Sequence, residues 1–129
     1  MNDVRGVVFD VVESPLHPDL GPLCAELGLE RRVFSQQRKA MAAMKQQPPD
    51  YVVADFYFGY GNNYAGANIS NLDVLLRSAQ RFAPNARIVV LAEPTERPHL
   101  DKLAALFALH AKLDLPADGE RLRTALSTD

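Results

Sequence analysis

The sequence predicts an α/β domain built on an open, doubly wound parallel sheet, and three observations carry that prediction. Residues 4–12 (VRGVVFDVV) and 87–92 (RIVVLA) are nearly continuous, β-branched apolar runs, the pattern of strands buried on both faces. A third short run, residues 51–56, follows Pro48, Pro49 and Asp50, and segments with helical apolar spacing separate the three, so strands and helices alternate. The 129 residues hold one core of this kind but not two domains of ordinary size, which makes residues 1–129 a single domain.

Taken in order, residues 4–12 form the first strand, with Asp10 as the charge inside its apolar stretch. Pro15, Pro18 and Pro22 keep the following segment extended until Asp19 caps a short helix through Leu27, with Gly28 as its left-handed stop. Residues 32–34 suit a short second strand. Ser35 then caps a helix with Ala40, Met41 and Met44 on its apolar face, ended by Pro48 and Pro49. After the strand at 51–56, residues 57–70 (YFGYGNNYAGANIS) lose all hydrophobic period and read as a loop longer than most connections in such folds. Ser70 or Asn71 caps a helix bearing Leu72, Leu75, Leu76, Ala79 and Phe82. Beyond the strand at 87–92, Pro94 and Pro98 stiffen a loop, and residues 100–110 predict a helix apolar nearly all round. Residues 112–115 supply a last strand, Pro116 breaks it, and Asp118 caps a final helix.

Composition sets bounds on function. A net charge of −2 and a densest basic group of only Arg31, Arg32, Arg38 and Lys39 give no nucleic-acid stripe. No apolar run reaches the roughly 18 residues of a membrane span, and the N-terminus MNDVRG lacks the pattern of a signal peptide. A cytoplasmic protein is the expectation. Cys24, the single cysteine, lies among Leu20, Leu23 and Leu27 and reads as a small core residue. His17, His99 and His110 are scattered and read as surface or helix-end residues rather than metal ligands.

The chemistry-bearing residues fall at the carboxyl ends of the strands, where such sheets place their working groups. Asp10, Glu13 and Asp55 come from strands that neighbour one another in a doubly wound sheet, and three carboxylates together suit a hard divalent cation. The same residues also fit a purely structural reading: Asp10 facing a helix N-terminus, Glu13 solvated, Asp55 ending a strand.

The stretch PPDYVVAD resembles the strand of the response-regulator receiver domain (CheY-like) in which Pro-Asp and four apolar residues precede the phosphoacceptor aspartate. The spacing of Asp10 from Asp55, the element order and the chain length are also similar to that family's. The resemblance implies a flavodoxin-like five-stranded parallel sheet in the order 2-1-3-4-5 with helices on both faces. It also implies Asp55 as the phosphoacceptor position and Mg as the cation held by Asp10, Glu13 and Asp55.

The departures are specific. Val11 follows Asp10 where the family has a second acid, Ala92 stands where it has a hydroxyl residue, and Leu115 precedes Pro116 where it has lysine, with Lys112 three residues earlier. Without the ammonium, charge developing on a phosphorylated aspartate lacks an offset worth several kcal/mol, and without the hydroxyl nothing favours one switch state over another. The sequence therefore predicts a degenerate receiver, or pseudo-receiver: a signalling module that is not an enzyme, requires no cofactor and acts by protein–protein interaction with a sensor kinase or downstream effector. Tyr57, Tyr60 and Tyr64 of the long loop and Leu103, Leu106 and Phe107 of the penultimate helix are the expected interaction surface, and the resemblance to receiver domains implies a homodimer through the fourth helix, fifth strand and fifth helix.

Three other readings compete. A genuine phosphoacceptor receiver using Asp55 and a divalent cation would be supported if Lys112 swung into the site, which a strand register shifted by one pleat would allow. VVFDVV resembles the opening strand of haloacid-dehalogenase-like hydrolases, but Val12 replaces their general acid. GYGNNYAG lacks both the dinucleotide fingerprint and the phosphate-loop lysine of a nucleotide or flavin site.

Overall fold

The computed structural model describes residues 5–58 and 70–127. Among them five parallel strands form one sheet, β1 (Gly6–Val11), β2 (Leu29–Phe34), β3 (Tyr51–Asp55), β4 (Arg87–Ala92) and β5 (Ala111–Asp114), in the order β2-β1-β3-β4-β5. The helices are α1 (Gly21–Leu27), α2 (Gln37–Gln46), α3 (Asp73–Phe82), α4 (Arg97–Ala104) and α5 (Gly119–Ala125). This is the predicted flavodoxin-like arrangement.

The two faces of the sheet divide the apolar runs by strand alternation. Val7, Phe9, Val11, Val52, Ala54, Ile88 and Val90 pack with Ala40 and Met44 of α2, Leu75, Leu76 and Ala79 of α3, and Leu100 and Leu103 of α4. Val8, Val53, Val89, Leu91 and Leu113 face the other way, onto Leu20, Cys24, Leu122 and Leu126 around α1 and α5. Cys24 is a buried packing residue, as its apolar neighbours suggested.

Backbone punctuation follows residue chemistry. Gly28 ends α1 at φ 73°, a conformation that favours glycine. Asp118 caps α5 by accepting from the Glu120 N–H. Asp50, just before β3, accepts from the Val7 N–H at 2.8 Å, and a Cβ on Gly6 would meet its Oδ2 at 2.9 Å. The close approach explains the glycine and locks β1 against β3.

The fourth helix differs from its prediction. It starts earlier, at Arg97, because Pro98 in the first turn needs no N–H partner there, and it ends at Ala104 rather than His110. The chain must leave the helix so that the His110 N–H can reach the Ile88 carbonyl and Ala111 can pair with Val89. Leu103 is fully buried and Phe107 turns into the core at 7% exposure, while Leu106 is 58% exposed. Of the three apolar residues expected to form a surface there, only Leu106 does so.

Candidate functional site

Register places the acidic residues together. Asp10 pairs with Val53, so Asp55, two residues beyond Val53, projects from the same face one step diagonally along β3. Both side chains are fully buried. Two buried carboxylates on one face require compensation, and the chain supplies it from the segment between β1 and α1.

That segment turns sharply at Ser14. The His17 N–H donates to the Ser14 carbonyl at 3.1 Å and the Leu16 N–H to Ser14 Oγ at 3.0 Å, a turn in which Ser at the first position and Pro15 at the second are favoured residues. The turn folds the His17 ring back over the sheet edge, where its side chain is 1% exposed. Nε2 lies 2.5 Å from Asp10 Oδ1; Nδ1 lies 2.8 Å from Asp55 Oδ2 and 2.9 Å from its Oδ1. Carboxylates only accept, so both ring nitrogens donate and the ring is an imidazolium. Burial alone would lower its pKa, but the hydrogen bonds to Asp10 and Asp55 and their charges outweigh that and raise it from 6.5 to about 9.

Arg31 of β2 completes the charge balance, its Nε donating to Asp10 Oδ2 at 2.8 Å. Asp55 Oδ2 also accepts from the backbone N–H groups of Glu13 and Ser14, each at 2.9 Å. Two cations thus face two carboxylates, and the Asp55 carboxylate is enclosed by three donors from residues 13–17.

The other predicted positions lie apart from this cluster. The Glu13 carboxylate accepts from Gln37 Nε2 at 2.9 Å and Asn71 Nδ2 at 3.0 Å instead of joining the two aspartates. Asn71, expected as a helix cap, instead donates to the Asp55 carbonyl and accepts from the Tyr57 N–H. Ser70 and Asp73 organise the start of α3, with Asp73 Oδ1 accepting from the Ser70 N–H and hydroxyl. Lys112 pairs with Asp101 at 3.1 Å on an exposed surface, while Ala92 and Leu115 are buried apolar residues. Tyr57 is half-buried, and Phe58 stacks on His99 with ring centroids 3.6 Å apart. Tyr60 and Tyr64 lie outside the described residues.

The donor set bears on the cation that the receiver resemblance implies. Among the described residues no three His, Cys, Asp or Glu side chains converge as a metal-binding group. The position between Asp10 and Asp55 holds the His17 ring, and Glu13 points elsewhere. As arranged, these residues do not fit a divalent cation. His17 is the residue that the sequence reading missed. The signal available was Ser-Pro three residues beyond the strand end, with His at the fourth position of the turn, seven residues after an acid.

The sequence matches no protein-family model and no curated protein. Solved structures do match over nearly the whole chain. NtrX from Brucella abortus superposes with a TM-score of 0.69 at 18% identity over 94% of this chain and 27% of that one. A response regulator receiver domain protein from Clostridium thermocellum gives 0.68 at 16% identity, covering 92% of this chain and 88% of its own. A DNA-binding response regulator of the LuxR family from Staphylococcus aureus gives 0.69 at 14% identity, covering 94% and 95%. The chain therefore has the fold of receiver domains, and it spans only about a quarter of NtrX. No helix among the described residues is long and apolar enough to cross a membrane.

Proposed function

We propose that this chain is a receiver-like signalling module that works by binding a protein partner, a sensor kinase or a downstream effector, without phosphotransfer at Asp55 and without an enzymatic activity of its own. The observation that supports this reading is the enclosure of the Asp55 carboxylate by His17 and by the Glu13 and Ser14 N–H groups. An incoming phosphoryl group must displace the His17 ring, which contacts both Asp55 oxygens, and it then meets Ala92 and Leu115 in place of a hydroxyl and an ammonium. A cavity of about 380 Å³ between β5 and α5, bordered by His110, Leu113 and Thr124, and the exposed Leu106 just after α4 support contact surfaces along the stretch from α4 to α5, through which we also propose self-pairing.

The test is intact-mass measurement after incubation with acetyl phosphate and Mg²⁺. The expected result is no added phosphoryl mass. Stoichiometric modification that D55N abolishes would overturn the reading.

A further inference from the structure

We infer that the His17 side chain is a resident counter-cation, occupying the place of the divalent ion that the receiver resemblance implies and making the site independent of metal. The inference rests on the receiver-like reading of the site but not on whether Asp55 accepts a phosphoryl group.

Three observations carry it. The ring bridges the two aspartates, one nitrogen to each carboxylate, at 2.5 and 2.8 Å, so it occupies the common position from which a cation would bind both. Its side chain is 1% exposed and is wedged there by the Ser14 turn, so an ion cannot enter without expelling it. Lastly, Arg31 holds the second oxygen of Asp10 and backbone N–H groups hold Asp55 Oδ2, so the one pair of oxygens a hard cation could share is Asp10 Oδ1 and Asp55 Oδ1, and the ring itself holds both. The remaining acid, Glu13, is tied to Gln37 and Asn71. The ring supplies fixed charge and directional donors, whereas a metal would supply charge and coordination. The site thus keeps the electrostatic half of a cation's role and loses the half that presents an open ligand position.

The experiment compares the wild type with H17A and H17K, using Mn²⁺ as the probe, read by water-proton relaxation and by thermal unfolding. In the wild type about 10 mM Mn²⁺ gives no saturable relaxation change and leaves Tm unchanged. H17A vacates the position while leaving Asp10 and Asp55, so Mn²⁺ binds saturably in the millimolar range and raises Tm by roughly 4 °C or more. H17K returns a cation to the same place and restores insensitivity. Saturable Mn²⁺ binding by the wild type overturns the inference, as does an H17A protein that folds and does not respond. If H17A folds only when Mn²⁺ is present, the inference is supported directly, and the wild-type titration stands whether or not either variant folds. Phosphorylation of the wild type without Mn²⁺ binding would remove the proposed function and leave this inference intact; Mn²⁺ binding without phosphorylation would do the reverse.

Discussion

The carboxyl edge of the sheet has two halves built on opposite terms. Over β1 and β3 it is dense with charge: Asp10, Asp55, His17 and Arg31 form one buried network closed by backbone donors. Over β4 and β5 its buried residues, Ala92 and Leu115, are apolar, and the charged ones turn outward, Asp114 to Arg97 and Lys112 to Asp101. A hydroxyl or ammonium in the second half would have faced a carboxylate that already accepts from three donors. A polar group buried there without a hydrogen bond would cost about 1–3 kcal/mol. The apolar half is the physical counterpart of the closed half.

The largest test of this contrast removes Asp55. D55A leaves the buried imidazolium and two N–H groups without their acceptor, and the expected loss is about 3–5 kcal/mol of unfolding free energy in urea titration. A loss under about 1 kcal/mol would mean that the network is not a unit.

Next comes pH. The pKa of His17 is raised in the folded state from 6.5 to about 9, so the stabilisation it contributes is fully present below pH 6.5 and is lost as pH rises through 9. The shift corresponds to up to about 3 kcal/mol. H17Q should flatten the profile over that window, and an equally steep decline in H17Q would place the titration elsewhere.

The smallest effect belongs to the apolar half. A92S places a hydroxyl in a fully packed position, and the expected cost is about 1–2 kcal/mol with no gain of phosphoryl transfer. A neutral or stabilising A92S would show that Asp55 still has an acceptor to offer.

The fold was legible because its signals are local: apolar runs of strand length, Gly28 after a helical stretch, Asp118 before one, prolines between elements. The order of the strands came with the receiver resemblance, and the nearness of Asp10 to Asp55 followed from the adjacency of their strands in a doubly wound sheet. Two features were not legible. The end of α4 is fixed by β5 pairing with β4 across residues 88–111, and the Leu-Ala spacing through residue 109 carries no trace of that requirement. His17 lies 38 residues from Asp55, and its role depends on a four-residue turn folding inward rather than outward. A histidine beside two prolines looks the same in both cases. Asp55 was found at the right edge, but what encloses it was set by this turn.

The backbone donation from Glu13 and Ser14 to Asp55 has a consequence for dynamics. These two amides belong to a connecting segment, yet their acceptor is a buried carboxylate on a central strand, contributed from more than forty residues away. Loop amides ordinarily exchange their hydrogens with solvent through small local fluctuations. These two can exchange only when they part from a buried charged acceptor, so they should show slower deuterium uptake than the loop amides around them.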